Sequence, residues 1–187
     1  APNNARIAYL GYDDKQKSYQ QTDVYLMAAD GSGIKNLTVN FDRSIDNIAW
    51  RPDSKALVGQ AEVDGMLTLV SIDLAGNVRN LVKDIGGTSL GRPYAAGSFS
   101  VATKAGGSSP IIAYTKGSTN RPAEVALTRG SGNGRQLTQL NEDALGHLDL
   151  AGIEEIKVSS THDGREIEAW VALPPGFRPD GSFPMIL

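Results

Sequence analysis

The chain has 187 residues, 40% hydrophobic and 21% charged, with a formal net charge of −3. That balance belongs to a globular chain rather than a disordered one. It carries no basic cluster for nucleic acid and no run approaching the roughly eighteen apolar residues of a membrane-spanning helix. With no cysteine, disulfides, thiolate zinc sites and a thiol nucleophile are excluded; such a chain suits a reducing cytosol and a bacterial periplasm equally.

Taken in order, the chain predicts short strands throughout. Residues 6–11 and 24–28 alternate apolar and polar positions and lead to a strand over 34–37. Between them and the next pair, Asp30-Gly31-Ser32-Gly33 offers the positive φ of a tight hairpin. Strands over 45–50 and 56–62 flank Arg51-Pro52-Asp53-Ser54, where proline fixes φ and aspartate bonds its own backbone. Further strands are expected over 98–103 and 111–115, again joined as a hairpin. No segment of a dozen residues has a 3.6-residue apolar period. Residues 141–150 could make one helical turn but read as a linker.

Three segments repeat one another: 23–38, 66–82 and 123–138. Each is an alternating strand, a turn rich in Gly, Asp or Asn, and a short strand closing on Leu37-Thr38, Leu81-Val82 or Leu137-Thr138. The closing leucines are spaced by about 44 and then about 56 residues, against roughly 40–45 for a propeller blade. The Gly-rich insertion at 86–91 accounts for the longer spacing. With the intervening strands, each full repeat supplies four antiparallel strands. The first lacks its inner strand, which makes roughly two and two-thirds blades. Sheets of this kind bury their faces against neighbours and protect their edges by radial closure. Baring an apolar face of several hundred Å² costs on the order of 10 kcal/mol at about 25 cal/mol per Å², a whole domain's stability. The chain is therefore expected to depend on neighbours.

The end of the chain is different. Strands over 153–158 and 167–173 surround Asp163-Gly164, followed by Pro174-Pro175-Gly176-Phe177 and the apolar run Phe183-Pro184-Met185-Ile186-Leu187. This hairpin resembles none of the three repeats. It is expected to open a further domain that the 187 residues do not finish.

Two sets of residues carry a family resemblance. Trp50-Arg51-Pro52-Asp53-Ser54-Lys55 resembles the W-S-P-D-G-K turn of TolB/WD40-like propellers, with Arg51 and Ser54 departing from it. The tail then runs Leu137-Thr138-Gln139-Leu140-Asn141, Glu154-Glu155-Ile156-Lys157-Val158-Ser159-Ser160, Asp163-Gly164-Arg165-Glu166-Ile167, Trp170-Val171 and Leu173-Pro174-Pro175-Gly176-Phe177. This order resembles the junction of propeller and catalytic domain in the prolyl oligopeptidase family of serine peptidases, especially its acylaminoacyl-peptidase and dipeptidyl-peptidase-like members. Gly91-Arg92-Pro93-Tyr94 is similar to that subgroup as well.

The resemblance implies an all-β chain: a partial β-propeller over 1–140, a linker over 141–152, and over 153–187 the opening strands of an α/β-hydrolase domain. It implies a parent serine peptidase that hydrolyses short peptides, its propeller gating access. Nucleophile elbow, acid and histidine would follow in the order of that fold, so no catalytic residue is expected in this chain. The expected partners are a short peptide and the remainder of the same polypeptide, with no cofactor, nucleic acid or membrane. Two other readings stay open: a non-enzymatic TolB-like binding propeller, and a propeller-capped esterase.

Other candidates have plainer explanations. His162 lies in the 160–165 turn and His147 in the linker; two histidines so far apart, without a carboxylate at ligand spacing, make no zinc site. Gly130-Ser131-Gly132-Asn133-Gly134 joins two strands and opens no helix, so it reads as a hairpin turn rather than a phosphate loop. Asn36-Leu37-Thr38 fits a glycosylation sequon, relevant in a secreted eukaryotic chain. Trp50 and Trp170 read as packing residues. Arg92 and Tyr94 are the substrate-binding candidates. An arginine and a tyrosine entering an inner strand can hold a peptide carboxylate or carbonyl, or simply form an Arg–Pro turn anchored by a packed ring.

Overall fold

The computed structural model describes residues 1–87, 97–102, 110–132 and 134–186. Strands β1 (Arg6–Gly11), β2 (Asp23–Ala28) and β3 (Lys35–Asn36) form an antiparallel sheet in that order. A second sheet runs β4 (Ile45–Trp50), β5 (Ala56–Val63), β6 (Met66–Asp73), β7 (Val78–Val82). A third contains β8 (Phe99–Val101), β9 (Ile111–Ser118), β10 (Arg121–Arg129) and β11 (Arg135–Gln136), also paired consecutively. A single helical turn, α1 (Glu142–Leu145), precedes the hairpin of β12 (Gly152–Ser159) and β13 (Glu166–Leu173). The described chain is nearly all β, as expected. The segment read as a linker includes that one turn of helix.

Among the described residues, the meander is helped by turns whose residues reverse the chain cheaply. At the Arg51–Asp53 turn the Ser54 N–H donates to the Arg51 carbonyl at 3.0 Å, and Asp53 Oδ1 accepts the Lys55 N–H at 3.0 Å. Ser54 has φ +56°. Here the repeat pattern carries glycine, the residue that reaches the left-handed region without strain. In the first hairpin, Asp30 Oδ1 accepts the Ser32 N–H at 2.9 Å and the hydroxyl at 2.7 Å. The third strand of the first sheet is shorter than the expected 34–37. Leu37 N–H still reaches the Val24 carbonyl, but the Thr38 hydroxyl, not its backbone, takes the Val24 N–H at 3.0 Å.

Alternation sorts the side chains. Ala8, Leu10, Val24 and Leu26 turn toward the second sheet, while Tyr9 and Tyr25 face away and stack at 5.3 Å. The second sheet is apolar on both faces. Leu57, Val70 and Ile72 pack toward the first sheet, and Val58 and Leu69 pack toward Ile112, Tyr114 and Ala126 of the third. All five of the second sheet's residues just named are fully buried. The outer sheets bury one face each. Val125 and Leu137 remain 40% and 50% exposed on the third.

The terminal hairpin is amphipathic in the opposite sense. Glu166, Glu168 and Trp170 share one face of β13 by their two-residue spacing, opposite Ser159, Lys157 and Glu155. Ile167, Ala169 and Val171 share the other, opposite Val158, Ile156 and Glu154. On that second face Ile156, Val158 and Ile167 are exposed.

Candidate functional site

The loop between β1 and β2, the start of β4, the β5–β6 hairpin end and β13 enclose an open cleft of about 880 Å³. Its walls carry Asp46, Glu62 and Asp64 on one side and Glu166 and Glu168 on the other, with Arg43 at the rim. Lys157 pairs with Glu166 at 3.2 Å and Glu168 at 3.3 Å, and Lys83 lies 3.9 Å from Asp64. The Glu166 and Glu168 hydrogen bonds and charges hold the Lys157 ammonium above its ordinary range.

Among the described residues, this cleft holds no serine–histidine pair. Its serine, Ser44, is engaged by the Thr22 N–H at 3.1 Å and by Tyr19 Oη at 3.2 Å. A nucleophilic serine needs a histidine base within hydrogen-bond reach, and neither histidine lines the cleft. His162 is an exposed residue of the hairpin turn, its N–H bonded to Ser160 Oγ, and His147 is exposed beyond α1. Among the described residues, no group of three His, Asp or Glu side chains could hold a metal ion.

The strongest polar centre is structural. The Glu124 carboxylate accepts the Leu140 N–H at 3.0 Å, the Thr138 hydroxyl, the Asn141 side-chain amide at 2.8 Å and the Asn141 N–H at 3.1 Å. These donors, the Leu140 backbone foremost, bring its pKa down to about 2. Glu124 thus ties β10 to the stretch that enters α1. Sequence reading missed it because a glutamate between two apolar strand positions signals only an outward-facing residue. Burial and the Asp84 hydrogen bond push the Tyr114 phenol well above its ordinary range. Asp84 in turn pairs with Lys116 at 3.3 Å, tying the segment that leaves β7 to β9.

Arg92 and Tyr94, the substrate-binding candidates, lie outside the described residues. So does Ser89, the centre of Gly87-Thr88-Ser89-Leu90-Gly91, which fits the G-x-S-x-G form. A nucleophile elbow joins a strand to a helix. In chain order this pentapeptide falls between β7 and β8.

No family model matches the chain. Dipeptidyl-peptidase 5 of Porphyromonas gingivalis is 27% identical over 191 aligned residues, covering all of this chain and 25% of that protein. The acylaminoacyl peptidase of Pyrococcus horikoshii superposes with a TM-score of 0.67 at 21% identity, over 91% of this chain and 24% of that one. A TolB from Agrobacterium tumefaciens superposes at 0.52 with 16% identity, over 74% of this chain and 47% of its own. The chain thus spans about a quarter of the length of the peptidases it matches. The resemblance read from the turn and the tail is therefore met in sequence and in fold: over essentially its whole length, this chain is similar to acylaminoacyl- and dipeptidyl-peptidase-type members of the prolyl oligopeptidase family.

Proposed function

We propose that this chain is part of a serine peptidase that hydrolyses short peptides by acyl transfer. In this reading residues 1–140 belong to a propeller that gates access, 141–152 link it onward, and 153–187 open the α/β-hydrolase domain that carries the catalytic residues. The observation that carries the reading is the alignment of the entire chain, terminal hairpin included, with a dipeptidyl-peptidase. Two structural features support it. The hairpin turns its Ile156, Val158 and Ile167 face to solvent, which suits a strand pair awaiting the rest of a sheet. The outer face of the third sheet is likewise half bare, which suits a further sheet packed there. The TolB likeness favours a non-enzymatic propeller, but it covers less of the chain than the peptidase likeness does.

The test is made on the full-length polypeptide. A fluorophosphonate probe is expected to label one serine outside these 187 residues. Chromogenic dipeptidyl or N-acyl-aminoacyl substrates are expected to be cleaved, with kcat/KM falling as the peptide lengthens. Folded, intact protein that takes no label and cleaves neither substrate class overturns the reading. Labelling with cleavage of simple esters alone points to the capped esterase. Arg92 and Tyr94 are proposed as peptide contacts: Arg92→Ala and Tyr94→Phe are expected to raise KM with kcat little changed, and unchanged KM in both removes them from the site.

A further inference from the structure

Trp170 is an aromatic side chain on the polar face of the terminal hairpin, in line with Glu166 and Glu168. Its ring lies on Gly65, at the turn between β5 and β6. A Cβ added at Gly65 would overlap the ring at Cη2 and come within 2.7 Å of Cζ2 and 3.1 Å of Cζ3. Gly65 also has φ +63°, so the position excludes other side chains twice over, by backbone conformation and by the indole. Around this contact both walls of the cleft are acidic. Asp46, Glu62 and Asp64 stand on the body and Glu166 and Glu168 on the hairpin, against the cations Arg43, Lys83 and Lys157.

We propose that Trp170 seated on Gly65 is a latch that holds the terminal hairpin against the second sheet, closed against net repulsion between the acidic walls of the cleft. Contact between the hairpin and the sheets is sparse beside the ladders within each sheet, and the indole on Gly65 is part of it. An aromatic ring on a bare backbone gives a large contact with little side-chain entropy to lose. It also separates cleanly, as a hinge between two otherwise self-bonded pieces requires. Opening the latch widens the cleft and leaves the β12–β13 ladder without the support of the second sheet, so that it opens more often. The proposal does not rest on the peptidase reading.

Hydrogen exchange followed by mass spectrometry on the full-length polypeptide tests it, because peptides from 152–173 report the hairpin separately. Trp170→Ala and Gly65→Ala are each expected to raise exchange in that hairpin about 5- to 30-fold, the range that loss of one modest contact gives, with β9 and β10 unchanged. The control is Gly33→Ala. Gly33 has nearly the same φ, +65°, with nothing within 4 Å of an added Cβ, so it imposes the backbone cost alone and should leave the hairpin unmoved. The double variant Gly65→Ala/Trp170→Ala should add nothing to either single change. In the unmutated protein, raising salt from about 0.01 M to 1 M shortens the screening length from about 30 Å to 3 Å and should slow hairpin exchange. If Gly65→Ala also loosens the β5–β6 hairpin itself, Trp170→Ala, which leaves that turn intact, decides the matter. Unchanged hairpin exchange in Trp170→Ala, or faster exchange at high salt, overturns the proposal.

Discussion

Thr138 gives its hydroxyl proton to Glu124 and takes the Val125 N–H at 2.9 Å. In the first sheet Thr38 does the same, donating to Asp23 at 2.7 Å and accepting from Val24 at 3.0 Å. The clasp closes the ladder where the last strand runs out, replacing a backbone pair with a side-chain oxygen. In the second sheet Val82 stands at the matching place of the repeat, 4% exposed and packed into the core. One position is thus filled by two solutions, polar in the outer sheets and apolar in the middle one.

Thr38→Val should therefore not behave like the natural Val82. It leaves the buried Val24 N–H and one Asp23 oxygen without the hydroxyl, a loss of about 1–3 kcal/mol. Chemical denaturation measures it, and a change under about 0.5 kcal/mol would show the clasp to be dispensable.

Glu124→Gln replaces one acceptor oxygen by an amide that faces donors. The melting temperature at pH 7 is expected to fall by several degrees. The pH dependence has a definite sign. Since the folded pKa is near 2 and the ordinary value 4.5, the carboxylate's contribution is complete above about pH 4.5 and is lost as pH falls toward 2. The gap between unmutated and Glu124→Gln proteins should accordingly narrow between pH 5 and pH 2.5. A gap that stays constant over that range removes the charge from the explanation.

Leu57→Ala and Leu69→Ala both empty a fully buried site of the second sheet, and each should cost about 2–5 kcal/mol. Their footprints should differ. The first lies in the core shared with β1 and β2, the second in the core shared with β9 and β10. Exchange protection is expected to drop in the first sheet for one and in the third for the other. Identical footprints would mean the two cores act as a single unit.

Ser54→Val places a β-branched residue at φ +56° and removes the Oγ that accepts the Asn3 N–H at 3.2 Å. A loss of about 1–3 kcal/mol is expected, whereas Ser54→Gly should stay within about 1 kcal/mol of the unmutated protein. Thermal melts of the two variants check this, and equal effects would refute the φ argument.

The strands were legible in the sequence because their alternation is local. Residues 6–11 and 45–50 are strands β1 and β4 without a shift, and the repeat of Leu37, Leu81 and Leu137 reflects three similar sheets. What could not be read is whatever depends on partners distant in the chain. Glu124 looks like a solvated strand residue until 138–141 folds over it. Trp170 was expected to pack, but nothing near it in sequence names Gly65 as its seat. The acidic cleft gathers residues from positions 19 to 168, none of them in a motif. For Arg92 and Tyr94 the local sequence suggests a role and supplies no geometry.

Because β5 is oily on both sides, sliding it by one residue would trade one greasy surface for another and bring little penalty from water. Its alignment must be pinned by something less forgiving than hydrophobicity. Gln60, 2% exposed, accepts from Asn47 on β4 and donates to the Gly97 carbonyl at 2.9 Å. A slipped strand would strand that amide among aliphatic neighbours. A single buried glutamine thus acts as the index mark that tells the central sheet where to stop.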